Sequence, residues 1–260
     1  MQLANKVALI TGAGSGIAKA AAMLFAKEGA KIAALGRTKD ELEAAVAEIN
    51  QANGEAIAVI ADISKVEDMQ QATQKVINKW GRLDIVFANA GINGVWAPID
   101  ELEPEEWDKT IEVNLKGTFL TVKYTVPYLK QQGGSIIITS SINGTRTFSK
   151  SGATAYGCSK AAQVAFAKMT ALELAKHKIR VNVICPGAID TNISENTEQR
   201  NLEEAQEAVV FPEGKIPLTD GEPGSSDQVA QLVLFLASDA SNLITGTEVW
   251  IDGGESLLKG

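Results

Sequence analysis

Short runs of β-branched and other apolar residues alternate along the chain with longer segments in which apolar residues recur at helical spacing. The longer segments predict helices at about 15–29, 38–53, 65–79, 104–130, 154–177 and 226–238. The short runs predict seven strands, at Lys6–Thr11, Lys31–Leu35, Glu55–Ile60, Leu83–Ala88, Ser135–Thr139, Arg180–Cys185 and Glu248–Ile251. Because strand and helix alternate, we expect an α/β fold with a doubly wound parallel sheet of seven strands covered by helices on both faces.

The organisation of the chain indicates one domain over residues 1–260, since no linker interrupts the alternation. A (β/α)₈ barrel is the alternative architecture, but it requires eight strands where the pattern supplies seven. A polar segment at about 190–225 contains Pro212, Pro217 and Pro223 and follows a predicted strand end. Its position predicts a lid over a substrate, with apolar cover from Ile193, Leu202, Val209 and Phe211.

The charge balance excludes several classes of partner. With 24 Lys and Arg against 32 Asp and Glu, the formal net charge is −8, so we expect neither nucleic acid nor a membrane as partner. Two cysteines, Cys158 and Cys185, and a single histidine, His177, are too few for a disulfide framework or a zinc site, and we expect no metal. We also expect no leader peptide or membrane span, which together with the few cysteines predicts a cytoplasmic protein.

A glycine-rich turn joins the first predicted strand to the first predicted helix. Its sequence is Thr11-Gly12-Ala13-Gly14-Ser15-Gly16-Ile17, with glycines where a backbone must turn tightly and approach a phosphate. Backbone N–H groups at the start of that helix, together with the positive end of its dipole, favour a dinucleotide pyrophosphate. A tight turn that binds nothing would use glycines as well, and this alternative stays open.

Other polar residues follow strand ends at the same predicted edge of the sheet, where open α/β sheets bind their ligands. Asp62, next to Ile63, either reaches the adenine of a dinucleotide or caps the helix that begins near Ser64, and the sequence favours neither interpretation. Asn89 ends the fourth strand. Ser140 and Ser141 end the fifth, where a hydroxyl polarises a substrate carbonyl or caps a turn.

Tyr156 and Lys160 lie four residues apart at the start of a predicted helix, which places both side chains on one face. An ammonium about 4 Å from a phenol contributes up to about 4 kcal/mol at an effective dielectric constant near 20. We therefore expect Lys160 to lower the pKa of Tyr156 into the range useful for proton transfer. The alternative is a surface helix with an incidental Tyr and Lys. Asn114 lies within another predicted helix, where asparagine is unfavourable unless its side chain has a hydrogen-bonding role.

Together these residues resemble the short-chain dehydrogenase/reductase family, from about Asn5 to Gly254. The resemblance implies a Rossmann-like single domain in which Tyr156 is the acid/base, Ser141 orients the substrate oxygen, and Lys160 holds the nicotinamide ribose. It also implies that Asn114 supports a proton-relay water. The motifs that carry it are the glycine loop, Asp62, Asn89-Ala90-Gly91, Asn114 in Val-Asn-Leu-Lys-Gly, Ser141 in Ser-Ser-Ile-Asn-Gly, Tyr156 with Lys160, Pro186-Gly187, and the closing Ile-Thr-Gly-Thr-Glu-Val-Trp-Ile-Asp-Gly-Gly.

The same resemblance implies a set of cofactor-binding residues, which also includes Tyr156 and Lys160. The others are Gly12, Ser15, Gly16, Ile17, Arg37, Asp62, Ile63, Asn89, Ile189 and Thr191. Two departures from the family pattern stand out. Ala18 replaces a usual glycine, and the stretch between Ser141 and Tyr156, with Arg146 and Lys150, is about two residues longer than is typical. The choice of Ser141 over Ser140 rests on the Ser-x-x-Gly pattern that ends at Gly144.

The end of the second strand bears on the choice of nicotinamide cofactor. An acidic residue there accepts hydrogen bonds from the ribose 2′-hydroxyl of NAD, but Gly36 occupies that position. Arg37 follows, with a guanidinium suited to a 2′-phosphate, so we expect NADP rather than NAD. Ser15 is the counter-argument, because many NADP-preferring relatives place a second basic residue in the glycine loop.

These observations favour an NAD(P)-dependent oxidoreductase that interconverts a secondary alcohol and a ketone by hydride transfer. The alternatives are a catalytically idle dinucleotide sensor or scaffold, and a hydrolase that uses Ser141 with His177, which lacks a Gly-x-Ser-x-Gly elbow. The run from Ala161 to Met169 is apolar around most of its predicted helix, which predicts an oligomer. The family resemblance implies that this oligomer is a homotetramer.

Overall fold

The computed structural model describes residues 1–193, 197–205 and 216–259. Its strands β1 to β4 span Val7–Thr11, Lys31–Gly36, Glu55–Ile60 and Ile85–Ala88. Strands β5 to β9 span Gly94–Trp96, Gly134–Thr139, Ile179–Pro186, Thr197–Gln199 and Glu248–Ile251. Helices α1 to α5 span Gly16–Lys27, Lys39–Gln51, Val66–Trp80, Pro104–Ile111 and Gly117–Leu129. Helices α6 to α9 span Thr154–Ala175, Leu202–Ala205, Ser226–Ala237 and Glu255–Lys259.

Seven strands form one parallel sheet in the order β3-β2-β1-β4-β6-β7-β9, which confirms the predicted fold class. The register pairs Thr11 with Leu35 on one side of β1 and Ile10 with Phe87 on the other. The sheet continues from β1 through β2 to β3 in one direction and from β4 through β6 to β7 in the other. The connections that follow β1 and β4 therefore run to opposite sides of the sheet. A crevice opens at the carboxyl ends of these two strands, the place where such sheets bind ligands.

Two apolar clusters, one for each face of the sheet, form the core. Val86, Ile136 and Val183 belong to one cluster, and their strand neighbours Phe87, Ile137 and Ile184 belong to the other. Buried strands of a doubly covered sheet direct alternate side chains to opposite faces, which explains their continuous apolar runs. Ala18 is fully buried in the second cluster, so the core accommodates the methyl group that a glycine would lack.

The helix predicted at 104–130 is interrupted by a π-helical turn at Glu112–Lys116, which separates α4 from α5. Helix α4 begins with a capping box in which Glu103 and Glu106 bond each other's backbone N–H groups. A π turn inserts one extra residue into a helix and is frequent at functional sites. This turn contains Asn114, which is fully buried.

A second, two-stranded parallel sheet pairs β5 with β8 beside the carboxyl edge of the main sheet, and the sequence pattern did not predict it. Arg200, just after β8, donates two hydrogen bonds to the Glu106 carboxylate at 3.0 and 2.9 Å. The predicted lid lies partly in this region. Leu202 packs against Trp96 and Tyr156, whereas Val209, Phe211 and Pro212 lie outside the described residues.

The amino edge of the main sheet carries its own polar contacts around a cleft of about 690 Å³. The Asp84 carboxylate accepts the backbone N–H of Val7 at 2.9 Å and two hydrogen bonds from Arg82, at 2.9 and 2.6 Å. Within the described part of the chain, no helix has the length and apolar character that crossing a membrane requires.

Candidate active site

A cleft of about 510 Å³ lies at the carboxyl edge of the sheet, over the crevice between β1 and β4. Every residue predicted for the site lines this cleft except Asn114, which lies in the shell behind it. The cleft residues come from strand ends and helix starts, so the main sheet fixes their relative positions. The lining residues that the sequence predicted are Gly12, Ser15, Gly16, Ile17, Arg37, Asp62, Ile63, Asn89, Ser141, Tyr156, Lys160, Ile189 and Thr191.

The glycine loop has a backbone that side chains would disturb. Gly12 has φ +74°, and a methyl group there would come within 3.2 Å of the Ala90 Cα. Gly16 has φ +53°, and a methyl group there would come within 3.3 Å of Thr191. The Ser15 side chain makes no capping hydrogen bond at the start of α1. The residues therefore fit a dinucleotide: the glycines leave a cradle, and the first N–H groups of α1 are available to a pyrophosphate.

Thr11 ties the ends of β1 and β4 together beneath this loop, a role that the sequence analysis missed. Its hydroxyl accepts the backbone N–H groups of Asn89 and Ala90, both at 3.0 Å. The Asn89 side chain in turn accepts a hydrogen bond from the Thr139 hydroxyl at 2.9 Å. Asn89 is thereby held at the cleft wall, and the threonine at the end of a buried strand was the available signal.

Asp62 does not cap α3, which begins at Val66 after the N-cap residue Lys65, and its contact with an adenine stays a prediction. Its carboxylate accepts hydrogen bonds from the Ser64 N–H and hydroxyl at 2.9 and 2.8 Å, and the residue also lines the cleft. Burial raises the pKa of this carboxyl, but the hydrogen bonds from Ser64 and the nearby Arg37 lower it further, so the net pKa lies below the ordinary value. Asp62 is therefore an anionic hydrogen-bond acceptor at the cleft edge.

The two serines after β6 make different contacts. The Ser140 hydroxyl donates to the Lys160 backbone carbonyl at 2.8 Å, so this hydroxyl has a structural role. The Ser141 hydroxyl accepts the Asn143 N–H at 3.1 Å, and Ser141 lines the cleft together with Tyr156, whose pKa it lowers. The structure therefore brings Ser141, the serine chosen from the Ser-x-x-Gly pattern, next to the tyrosine.

Tyr156 and Lys160 share one face of α6, as predicted, and both are buried. The Lys160 ammonium donates to the Thr139 backbone carbonyl at 2.9 Å and lies 5.5 Å from the centre of the Tyr156 ring. Burial lowers the pKa of Lys160 to about 8. The lysine therefore carries its charge at neutral pH and loses it in the mildly alkaline range.

The expected lowering of the Tyr156 pKa by Lys160 is not found in this structure. Burial raises the pKa of the phenol above its ordinary value, and the nearby Ser141 hydroxyl opposes this only in part. The reason is that desolvation penalises the phenolate, while the ammonium is directed at the Thr139 carbonyl. Tyr156 is therefore a protonated hydrogen-bond donor at neutral pH, the form that can give a proton to a carbonyl oxygen.

Asn114 uses its side chain to link three elements, as its place within a helix suggested. Its Oδ1 atom accepts the Ile92 N–H at 2.8 Å, and its Nδ2 atom donates to the Ile92 carbonyl at 2.9 Å. The Nδ2 atom also donates to the Ser159 hydroxyl at 3.0 Å. These bonds join the π turn to the strand end after β4 and to α6 immediately behind the cleft.

The end of β2 carries both signs of charge. Arg37 is exposed at the cleft edge, as expected, and Gly36 beside it carries no acid. The sequence analysis missed Glu41, which lines the same cleft from the first turn of α2. Its carboxylate lies against the glycine loop, since a methyl group at Gly14 would come within 3.0 Å of its Oε2 atom. A carboxylate is thus available near the ribose end of the cleft, contrary to the expectation from Gly36 alone.

The longer stretch between Ser141 and Tyr156 is anchored by aromatic contacts. The Arg146 guanidinium lies 3.6 Å from the centre of a Trp250 ring, and the Lys150 ammonium lies 5.2 Å from a Trp96 ring. Cations over tryptophan faces are favourable. The added residues thus contact β9 on one side and the small sheet on the other.

The hydrolase alternative does not fit this geometry. His177 follows the end of α6, immediately before β7 begins at the amino edge, whereas Ser141 follows β6 at the carboxyl edge. The six residues of β6 separate the two edges by about 20 Å. A serine and a histidine so far apart cannot act as nucleophile and base.

Comparisons with known proteins agree on one family. The family described as enoyl-(acyl carrier protein) reductase matches residues 12–256. The 3-oxoacyl-[acyl-carrier-protein] reductase of Thermotoga maritima is 40% identical over 98% of this chain and 99% of its own. A crystal structure of a 3-ketoacyl-ACP reductase from Sinorhizobium meliloti 1021 is 58% identical, with a TM-score of 0.94 over 97% of this chain and 99% of its own.

A third similar protein is the 3-ketoacyl-(acyl-carrier-protein) reductase from Brucella melitensis, whose structure was solved in complex with NADH. It is 34% identical, with a TM-score of 0.86, and the alignment covers 98% of this chain and 99% of that one.

Proposed function

We propose that this chain, which belongs to the short-chain dehydrogenase/reductase family and is an NAD(P)-dependent oxidoreductase acting on CH–OH groups, interconverts a secondary alcohol and a ketone with Tyr156 as the acid/base. The observation that carries the proposal is that Ser141, Tyr156 and Lys160 line one cleft together with the glycine loop. A module that only binds a dinucleotide would have no use for a buried tyrosine and serine side by side in that cleft.

The side chains divide the work as follows. Ser141 and Tyr156 both donate to the substrate oxygen, and Tyr156 gives up its proton as that oxygen becomes an alcohol. Lys160 would hold the cofactor ribose from the same face of α6. Asn114 would support the water through which Tyr156 regains its proton. A bound nicotinamide dinucleotide supplies or accepts the hydride.

The cofactor site would be formed by the residues predicted for it. Gly12, Ser15, Gly16 and Ile17 would bind the pyrophosphate through the start of α1. Asp62 with Ile63 would contact the adenine, and Asn89 would lie at the cofactor edge. Ile189 and Thr191, which line the cleft after β7, would contact the nicotinamide amide.

NADP(H) is the cofactor that Arg37 favours, because its guanidinium can pair with a 2′-phosphate. Two observations weigh against a strong preference: Glu41 lines the same region, and the Brucella melitensis relative was solved with NADH. We therefore expect both cofactors to support turnover, with NADP ahead by a modest factor.

The experiment that tests this function is a panel of secondary alcohols and ketones, which includes a cyclic ketone and a 3-oxoacyl thioester. Each is assayed with each cofactor by nicotinamide absorbance. We expect turnover with at least one ketone. Binding of NADP or NAD without turnover of any substrate would instead support the idle sensor.

A homotetramer is the assembly that we expect. Along α6, Met169 and Leu172 are 76% and 84% exposed, and Phe119 on α5 stands beside Phe166 on the same side of the molecule. A second copy would cover this apolar face. Sedimentation equilibrium at micromolar concentration tests this, and Leu172→Glu should dissociate the assembly while Leu243→Glu, at an equally exposed leucine outside α6, should not.

The single-domain organisation with a lid at about 190–225 and the cytoplasmic location also remain predictions. Limited proteolysis with and without cofactor tests the first, because a lid that closes over the cleft should become protected. Cell fractionation tests the second.

A further inference from the structure

Gln163 is a buried amide on the catalytic face of α6. It follows Tyr156, Ser159 and Lys160 at helical spacing and is only 1% exposed. The next buried positions on this face, Val164 and Ala167, are apolar, as a helix packed on a sheet requires. A polar side chain in such a stripe costs stability unless its groups are satisfied, so its presence needs an explanation.

The hydrogen bonds of Gln163 converge on the π turn. Its Nε2 atom donates to the Asn114 carbonyl at 2.9 Å and to the Thr118 hydroxyl at 2.7 Å. Thr118 donates to the same Asn114 carbonyl at 2.7 Å. Because a carbonyl oxygen only accepts hydrogen bonds, the amide atom that faces it must be the nitrogen. The Oε1 atom of Gln163 is buried and has no hydrogen bond to any described residue.

The packing of α6 on the sheet does not itself require an amide at this position. An apolar side chain of the same volume would bury no unpaired acceptor at this position. The Gln163 amide holds the Asn114 backbone in place through the hydrogen bond to its carbonyl. The Asn114 side chain then bonds Ile92 and Ser159, and the Ser159 hydroxyl donates to the Tyr156 carbonyl at 2.7 Å.

We infer that Gln163 is a positioning residue for proton transfer, which it serves by holding the π turn so that the Asn114 amide stays beside Lys160. This inference rests on the proposed function. A Cβ atom placed on Gly91 would lie 3.0 Å from Asn114 Oδ1 and 3.6 Å from Lys160 Nζ. The two groups therefore face the same small space, and a shift of the Asn114 backbone would separate them.

The test is Gln163→Leu, which keeps the volume and removes the amide, assayed with the ketone and cofactor that the wild-type enzyme uses best. We expect kcat to fall about tenfold, while KM for ketone and cofactor changes less than about twofold. The solvent deuterium isotope effect on kcat should increase, because proton transfer becomes slower relative to the other steps. The melting temperature should stay equal or rise, since an unpaired buried oxygen is removed.

The matched control is Thr121→Val. Thr121 is equally buried on α5, and its hydroxyl donates to the Gly117 carbonyl at 2.8 Å, one turn beyond the contact with Asn114. The Thr121→Val variant also loses a hydrogen bond from a side chain to a backbone carbonyl, and its kcat should be unchanged. Wild-type kcat in Gln163→Leu, an equal loss in Thr121→Val, or an unchanged isotope effect would each overturn the inference.

Hydrogen exchange gives a readout that does not depend on activity. In Gln163→Leu, amides of residues 112–118 should exchange faster than in the wild type, while α6 keeps its protection. Unchanged exchange in 112–118 would contradict the positioning role. If the wild-type enzyme turns over no substrate while this exchange changes as expected, the proposed function fails and the structural part of the inference stands.

Discussion

The two edges of the main sheet each carry a cleft, and the groups that line the two clefts differ in kind. The cleft at the amino edge measures about 690 Å³ and that at the carboxyl edge about 510 Å³. At the amino edge the Asp84 carboxylate is fully used by Val7 and Arg82. At the carboxyl edge Tyr156 and Lys160 are buried and their pKa values are displaced from the ordinary ones.

This difference shows that two clefts of similar size on one sheet can have lining groups with different roles. Polar groups that satisfy one another contribute stability, whereas buried groups that face a cleft cost stability and gain reactivity. Substitutions at the amino edge should therefore act on the free energy of unfolding, and those at the carboxyl edge should act on turnover.

The largest effect should come from Tyr156→Phe. Losing the phenol removes the proton donor, so kcat should fall about a thousandfold while dinucleotide binding and the melting temperature stay near wild type. Steady-state kinetics and fluorescence titration with the cofactor measure the two quantities. Near wild-type turnover in this variant would show that another group moves the proton.

The counterpart at the amino edge is Asp84→Ala. Removing the carboxylate leaves the Val7 N–H and the Arg82 guanidinium without their acceptor, which should lower the free energy of unfolding by about 3 kcal/mol. Urea denaturation measures this. Turnover per folded molecule should be unchanged, and a selective loss of kcat would break the distinction between the two edges.

Lys160→Met should separate stability from activity at a single residue. Because burial lowers the Lys160 pKa from 10.5 to about 8, keeping the charge at pH 7 costs the folded state about 3 kcal/mol. Removing the lysine also removes its bond to Thr139, so the net gain in stability at pH 7 should be about 2 kcal/mol. Turnover should be lost.

The sign of the pH dependence follows from the same shift. Between about pH 8 and 10.5 the unfolded chain holds a proton that the folded enzyme has released, so the wild type gains stability as the pH rises. The advantage of Lys160→Met in urea denaturation should therefore shrink over this window. An advantage that is constant with pH would refute the assignment of the cost to the buried charge.

The smallest effect concerns the two charges at the end of β2. Arg37→Ala should reduce kcat/KM with NADP about tenfold and leave the value with NAD nearly unchanged. Glu41→Gln should raise kcat/KM with NADP a few-fold, because a carboxylate that would repel the 2′-phosphate is gone. Glu43→Gln, two residues further along α2 and paired with Lys39, is the matched control. If the ratio of kcat/KM with NADP to kcat/KM with NAD stays unchanged in both Arg37→Ala and Glu41→Gln, the 2′-phosphate does not bind at the end of β2.

The sequence pattern predicted the seven main strands because each is a buried apolar run bounded by turns. It did not predict β5 and β8, which have three residues each and no periodicity of their own. Their pairing depends on chain segments that are distant in sequence and on Arg200 reaching Glu106. Local signals cannot encode such a contact.

Within the site, too, local sequence signals predicted some residues, and only contacts between distant segments revealed others. Residues at strand ends, such as Asn89 and Ser141, could be predicted because the fold fixes where strand ends meet. Glu41 and Gln163 lie within helices whose patterns look ordinary, and only the packing reveals that they face the cleft and the π turn. Asn114 carried a visible signal, since asparagine in a helix interior required a reason. The pKa of Tyr156 was predicted in the wrong direction because sequence spacing contains no information about burial.

The small sheet gives the molecule a part that can move on its own timescale. Among the described residues, three pairs join β5 to β8, and closing the long loop between them is entropically expensive. We expect this unit to assemble after the main sheet and to open well below the free energy of global unfolding. Its Trp96 packs on Tyr156, so we expect the Arg200–Glu106 ion pair, by holding this unit closed, to limit how often Tyr156 becomes uncovered.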